Sequence, residues 1–203
     1  MIKTPLYSKL QTYNFKRLFA NKGYSFFTKG AYNLNIIGIR NKNNTVTNKF
    51  DDYIVIIYNT EQTENKRVIL NATTDPGAYY MHKPMSEKGC AILVPGQYRG
   101  CWKYGFHKRY RALVQCKPIK VYRDRNKNNI YDFDPKTIEK GEYGINIHKA
   151  GINSVLVDNW SAGCQVIAND AQYTTFINLC KKQIEAGLGD TFTYTLLNEK
   201  ELL

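Results

Sequence analysis

Short runs of strand-forming residues, separated by turn residues, restrict the possible fold most strongly. Aromatic and β-branched residues are enriched in strands, and the chain has 16 Tyr and 9 Phe among 203 residues. One run, Asp52–Tyr58 (DYIVIIY), is apolar on both faces, which predicts a central strand covered on each side. Pro76-Gly77 and Pro95-Gly96 end other runs. We therefore expect a mostly-β (α+β) fold, either a sandwich or a barrel.

Helical periodicity appears in two places along the chain. Residues 5–20 predict an N-terminal helix, and residues 170–186 predict a second helix with one apolar face, capped by Asn169 or Asp170. The remaining strands are predicted at residues 33–40, 67–71, 90–94, 112–115, 119–122, 143–148 and 191–196. This organisation predicts a basic helical extension at residues 1–30 and one larger domain at residues 31–203.

One His and one Cys lie in a pattern suited to thiol chemistry. Gly144-Ile-Asn-Ile-His148 is followed, after twelve residues, by Ser161-Ala-Gly163-Cys164. A His can remove the proton of a thiol that attacks a carbonyl, and Gly allows a tight turn whose N–H groups approach that carbonyl. We predict Cys164 as the nucleophile, His148 as its base, and the N–H groups of Gly163 and Cys164 as oxyanion donors. The alternative is a buried structural Cys.

These residues resemble the motif of the L,D-transpeptidase catalytic domain family, whose members act on peptidoglycan. That motif is a His on one strand followed by Ser/Thr-x-Gly-Cys, and residues 72–77 (ATTDPG) are similar to the strand end that precedes it. The resemblance covers about residues 66–168 and implies an L,D-transpeptidase-like β-sandwich as the catalytic domain at 31–203. It implies that Cys164 forms a thioester with peptidoglycan stem peptides. The branch looks like those of phages and mobile elements.

The sequence departs from the family pattern in three ways. The twelve-residue gap is short, Ala162 replaces a frequent His or Arg, and Val166 replaces the usual Arg or Asn two residues after the Cys. The family uses these side chains to hold substrate, so the resemblance implies altered substrate contacts. The residues we expect to bind substrate here are Ser161, Trp160, Gln165, His107 and Lys149. The hydroxyl of Ser161 also suits a role in holding the turn, and Trp160 and His107 also suit packing.

Three classes of function remain open from the sequence. The first is a cysteine-dependent peptidoglycan enzyme, which is a transpeptidase if an amine resolves the thioester and an L,D-peptidase (murein hydrolase) if water does. The second is a non-catalytic module of the same fold that docks to the wall or to a virion. The third is nucleic-acid binding, which only the charge favours, because no nucleic-acid motif is present. No cofactor is expected.

Positive charge is concentrated at the start of the chain. The formal net charge is +12, and residues 1–50 contain nine Lys or Arg and no Asp or Glu. We predict a surface that binds an anionic wall polymer or a virion; the alternative is a solvated basic face. No apolar run approaches the ~20 residues that span a bilayer. The absence of an apolar signal-peptide core predicts action on the wall after lysis, particle delivery or non-Sec export.

The five cysteines and one polar loop offer weaker signals. The absence of paired Cys spacing argues against a disulfide framework or zinc site, although a bridge from Cys101 to Cys90 or Cys116 is an alternative. Residues 124–134 (DRNKNNIYDFD) resemble the start of a Ca²⁺ loop, but position 6 is not Gly and position 12 is not Glu. An Asx-rich turn is favoured, calcium stays open, and no metal site is predicted.

Overall fold

The structure is a computed structural model that describes residues 4–43, 45–152 and 154–202. The described helices are α1 (Pro5–Thr12), α2 (Phe15–Lys22), α3 (Ala78–His82) and α4 (Asp170–Glu185). The described strands are β1 (Asn35–Arg40), β2 (Asp52–Tyr58), β3 (Lys66–Thr73), β4 (Cys90–Leu93), β5 (Gly96–His107), β6 (Tyr110–Gln115), β7 (Ile119–Asp124), β8 (Glu139–Gly141), β9 (Ile147–Lys149), β10 (Gln165–Ile167) and β11 (Thr191–Asn198). The prediction of a mostly-β fold with a few helices is confirmed.

Eight of these strands form one sheet that closes on itself. Their order is β1-β11-β5-β6-β9-β10-β3-β2, and β4-β7-β8 form a separate small sheet. Most neighbours are antiparallel, but β1 pairs with β11 and β9 pairs with β10 in parallel. The β9–β10 pair places His148, on β9, close to Cys164, the residue just before β10.

Strand β2 is apolar on both faces because each face meets a different hydrophobic cluster. Ile54 and Ile56 point into the barrel interior, where Trp102 is fully buried. The alternating Val55 and Ile57 pack beneath α1 and α2. The prediction that this strand is central is therefore confirmed, and the N-terminal helices supply the second cover.

Two predicted elements have different bounds, each for a local reason. The helix predicted at 5–20 is divided, because the Asn14 side chain accepts a hydrogen bond from Arg17 N–H and starts α2 as a new helix. The strand predicted at 143–148 is shortened to β9. The N–H groups of Tyr143 and Ile145 instead donate to the side-chain oxygen of Gln115, at 3.1 and 3.0 Å, and so leave no sheet pairing there.

One buried charged cluster lies between the barrel and the small sheet. The Arg40 guanidinium is 2.7 Å from Asp75 and donates to the carbonyls of Thr74 and Leu93. Asp52 accepts hydrogen bonds from the N–H and hydroxyl of Thr74. Arg40, which is one of the nine cations in residues 1–50, is therefore buried and contributes nothing to a basic surface.

All five cysteines are free, and the backbones of Cys101 and Cys116 are hydrogen-bonded without a disulfide.

In the polar loop at residues 124–134, the side-chain oxygens of Asn126 and Asn128 each accept a hydrogen bond from the N–H group two residues later, which is an Asx-rich turn. Among the described residues, no group of three His, Cys, Asp or Glu is placed to hold a metal ion. In the same part of the chain, no helix is long and apolar enough to cross a membrane.

Candidate active site

The Cys164 thiol lies next to strand β9, just before β10 begins. Because Gln165 pairs with Ile147, the residue before β10 comes alongside Asn146. The sulfur accepts a hydrogen bond from Asn146 N–H at 3.4 Å and donates to the Gly144 carbonyl at 3.6 Å. Cys164 keeps partial exposure and lines a cavity that it shares with His148. It is therefore placed as a reachable thiol rather than a sealed core residue.

The turn before the thiol is held by its own polar groups. The Ser161 hydroxyl donates to the Cys164 carbonyl at 2.8 Å and accepts from Gly163 N–H at 3.2 Å. Gly163 has φ +128°, and a Cβ there would lie 2.2 Å from the Ala91 carbonyl oxygen of β4. Gly is therefore required at this position for conformation and for space.

This arrangement changes the predicted oxyanion site. The Gly163 N–H already donates to Ser161, so it is not available to a substrate oxygen and that expectation is wrong for this geometry. The Cys164 N–H has no acceptor among the described residues. One backbone donor of the predicted pair thus remains for a developing oxyanion.

The His148 imidazole is oriented by the backbone of its own strand. Its Nδ1 lies 2.9 Å from the Lys149 carbonyl and 3.4 Å from the Tyr110 hydroxyl. A carbonyl can only accept, so the ring proton is assigned to Nδ1 and the Nε2 atom is left as an acceptor. His148 is 3% exposed, yet its ring lines the same cavity as Cys164. The side chain is therefore set as a base rather than as a cation.

The protonation states of the two groups follow from their surroundings. Burial lowers the pKa of His148 to about 4; His107 and Lys108 add to this effect, while the Lys149 carbonyl opposes it. Burial raises the pKa of the Cys164 thiol to about 11, with a smaller opposing effect from Asn146 N–H. Neither group is charged near pH 7, and among the described residues the Cys164 thiol has no hydrogen bond to His148.

His107 comes to this site from the end of strand β5. Its ring stacks on His148, with centroids 4.2 Å apart and planes within 4° of parallel. Its Nδ1 lies 3.1 Å from the side-chain nitrogen of Asn146. The same Asn146 whose backbone contacts the thiol therefore also contacts the second histidine.

The cavity in front of these groups has a volume of about 530 Å³. Its walls include Trp160, Tyr110, Ile145 and the exposed Met85. Two cationic side chains, those of Lys108 and Arg123, line the cavity, and the described lining residues include no Asp or Glu. Arg123 is paired with Glu139 at 3.0 Å, whereas no ion pair involves Lys108 in the part of the chain described. The cavity suits a ligand that is partly apolar and carries negative charge.

Several residues expected to bind substrate do not reach the cavity. Gln165 is fully buried: its amide donates to the Thr74 carbonyl, and its oxygen accepts from Tyr194. Ser161 is also fully buried and serves the turn. Lys149 is not among the lining residues, and its ammonium pairs with Asp170. A substrate-binding role for these three residues is therefore corrected, while Trp160 and His107 do line the cavity.

Sequence reasoning missed three residues of the site. Asn146 is two residues before His148 and so shares its face of the strand, which was an available signal. Tyr110 and Lys108 lie in the β5–β6 hairpin beside His107, but nothing local indicated that this hairpin reaches β9. Val166, which takes the position of the family's cationic or amide residue, is fully buried and cannot contact a ligand.

Comparison of this chain with protein-family models, curated proteins and solved structures found no match. Cys164, His148 and the cavity that both of them line are the features of this chain that indicate a function.

Proposed function

We propose that this protein is a cysteine-dependent enzyme that acts on peptidoglycan stem peptides through a thioester, as an L,D-transpeptidase or an L,D-peptidase. The observation that carries the proposal is the arrangement of His148 on β9 and Cys164 immediately before the adjacent parallel strand β10. Both side chains line one cavity, and the His148 Nδ1 is held by the Lys149 carbonyl so that Nε2 is left as an acceptor.

The first step is attack of the Cys164 sulfur on a peptide carbonyl carbon. As the C–S bond forms, the thiol proton passes to Nε2 of His148, and the carbonyl oxygen becomes an oxyanion near the Cys164 N–H. Because both groups are neutral near pH 7, His148 acts as a general base during attack and does not hold a preformed thiolate.

The tetrahedral species then collapses, the C–N bond breaks, and protonated His148 gives its proton to the leaving amine. The remaining thioester is resolved by an amine in transpeptidation or by water in hydrolysis. In either case the attacking group loses a proton to His148, the C–S bond breaks and the thiol is regenerated. The open, partly apolar cavity beside Cys164 gives the acceptor a route to the thioester.

The family proposal extends to the fold and to the N-terminal region. We infer that residues 31–203 are a divergent L,D-transpeptidase-like catalytic domain in which the expected β-sandwich is closed into a barrel, with a thiol just before one strand and a His on its parallel neighbour. We further infer that residues 1–50 dock to an anionic wall polymer or virion. Exposed cations that support this inference are Lys9, Lys16, Arg17, Lys29, Lys42 and Lys49.

The test is covalent labelling followed by mass spectrometry. Wild-type protein incubated with purified muropeptide or a carbapenem is expected to gain one adduct on Cys164, and Cys164→Ala to gain none. Cys116→Ala is the matched control, because that thiol is also partly exposed but lies outside the cavity lining. His148→Ala is expected to slow adduct formation by ~10²-fold.

Two outcomes would contradict the proposal. Equal activity of Cys164→Ala and wild type on isolated sacculi would remove the thioester mechanism. Adducts that form on Cys116 as readily as on Cys164 would show that the cavity confers no reactivity. Release of free peptide without exchange would select the peptidase over the transpeptidase.

A further inference from the structure

His107 belongs to neither the Cys nor the His motif, yet it contacts His148 directly and is linked to Cys164 through Asn146. Its ring covers His148 face to face at 4.2 Å, and its Nδ1 faces the side chain of Asn146 at 3.1 Å. The Asn146 backbone N–H donates to the Cys164 sulfur at 3.4 Å. These contacts form a continuous link from thiol to imidazole where no direct hydrogen bond joins them.

The tautomer of His107 is fixed by its neighbours. The Asn146 side-chain oxygen accepts from Gln115 N–H at 2.9 Å, which turns the amide nitrogen of Asn146 toward His107. An amide nitrogen can only donate, so Nδ1 of His107 accepts and the ring proton lies on Nε2. His148 has the opposite tautomer, with its proton on Nδ1. The stack therefore joins one ring with a free acceptor to one ring with a free donor.

We propose that His107 is a positioning residue for His148: its stacked ring fixes the plane of the base and prevents both rings from being positively charged at once. The inference rests on the proposed roles of Cys164 and His148 as nucleophile and base. Two imidazolium rings stacked at this distance would repel each other, so at most one ring becomes an imidazolium over the working pH range, and His148 is the more deeply buried of the two. His148 thereby stays an acceptor under mildly acidic conditions.

Other groups around His148 act on its charge in both directions. The groups that face it are His107, the ammonium of Lys108, the hydroxyl of Tyr110, the carbonyl of Lys149 and the thiol of Cys164. Lys108 also disfavours a charged His148, whereas the Lys149 carbonyl favours one. Burial, and then the charge of Lys108, lowers the pKa of His107 below its ordinary value. His107 is therefore a second titratable ring in direct contact with His148.

The experiment compares His107→Phe with His107→Ala in the full-length protein. Phe keeps a stacking ring but removes the titrating group and the bond to Asn146, whereas Ala removes the stack as well. His148 is followed by NMR titration, and Cys164 by its rate of alkylation with iodoacetamide between pH 4 and 9, measured on the Cys164 peptide. His82→Ala is the control, because His82 is exposed and is not among the residues that line the cavity.

In His107→Phe the pKa of His148 and the acid limb of alkylation are expected to rise by about one pH unit, the size of a coupling between neighbouring sites. The plateau rate at higher pH should stay close to wild type. In His107→Ala the plateau rate should fall by about tenfold, because a base that rotates out of position loses rate steeply. The control should match wild type throughout.

An unchanged His148 titration and an unchanged alkylation limb in His107→Phe would overturn the inference. Alkylation needs no peptidoglycan, so this result is separate from the choice of substrate. If His148→Ala leaves alkylation unchanged, the proposed nucleophile–base pair fails instead. If His148→Ala slows alkylation and muropeptide gives no adduct, the stacking role stands and the substrate proposal fails.

Discussion

Replacement of Gly163 by Ala tests the turn that presents the nucleophile. The added methyl group would lie 2.2 Å from the Ala91 carbonyl oxygen and 3.6 Å from the Ile145 side chain. A φ of +128° is also a conformation that Ala rarely adopts. The obstructing atom belongs to the backbone of β4, so it cannot rotate away as a flexible side chain would.

The expected loss of stability combines two costs. Backbone strain of this kind costs roughly 1–3 kcal/mol and overpacking roughly another 1–3 kcal/mol, which gives about 2–6 kcal/mol in total. With a urea dependence of about 2 kcal/mol per molar, the unfolding midpoint should fall by about 1–3 M. Because relief of the clash moves the turn, alkylation of Cys164 should also slow by up to ~10²-fold.

Gly187→Ala provides the matched comparison for this substitution. Gly187 has φ +74° and follows α4, and a methyl group added there would meet no atom within 4 Å. Only the left-handed conformation is therefore penalised, by about 1–2 kcal/mol. The substitution should leave Cys164 alkylation unchanged. Equal stability of the two variants, together with wild-type alkylation in Gly163→Ala, would refute the requirement for Gly at the turn.

Three other predictions concern charge. Adduct formation should be constant from about pH 5.5 to 9, since burial lowers the pKa of His148 to about 4 and raises that of Cys164 to about 11; an acid limb near 6.5 would contradict this. Reversal of Lys16 and Arg17 to Glu should weaken binding to sacculi, and wild-type binding should fall as salt approaches about 0.15 M. Burial, and then the charge of Asp75, raises the pKa of Asp52 to about 7. As the pH rises from about 4 to 7, the free energy of unfolding of wild type, measured with urea, should therefore fall relative to that of Asp52→Asn. A difference that stays constant over this range would contradict the buried charge.

The fold could be predicted from the sequence where the signal was local. Strand β2 was predicted at its full length because both of its faces are apolar. Helix α4 was predicted because one of its faces is apolar. Strand β5 was missed, since its glycines and the preceding Pro95 resemble a loop. Its long pairing with β6 and β11 depends on partners distant along the chain, which no local pattern reveals.

In the candidate site, too, local patterns were predictable from the sequence and long-range contacts were not. The sequence points to Cys164 and His148 because each lies in a short local pattern, but the inward direction of Gln165 was not predictable from those patterns. That direction is set by Tyr194 and Thr74, which lie on other strands and satisfy the buried amide. The sequence does not distinguish packing from substrate binding for His107, because its contact with His148 depends on β6 of its hairpin pairing with β9. Side-chain direction at short strands is decided by tertiary partners.

The parallel seam between β1 and β11 has a consequence for how the chain folds. Paired residues such as Ile36 and Tyr194 are more than 150 positions apart, so the barrel closes only when β11 pairs with β1 from the N-terminal part of the chain. Contacts of such high sequence separation slow folding, and until they form, the edges of β1 and β5 are unpaired. We therefore expect a slow final folding phase with a transient tendency to aggregate, and α1 and α2, which cover the outer face of β1, should limit it.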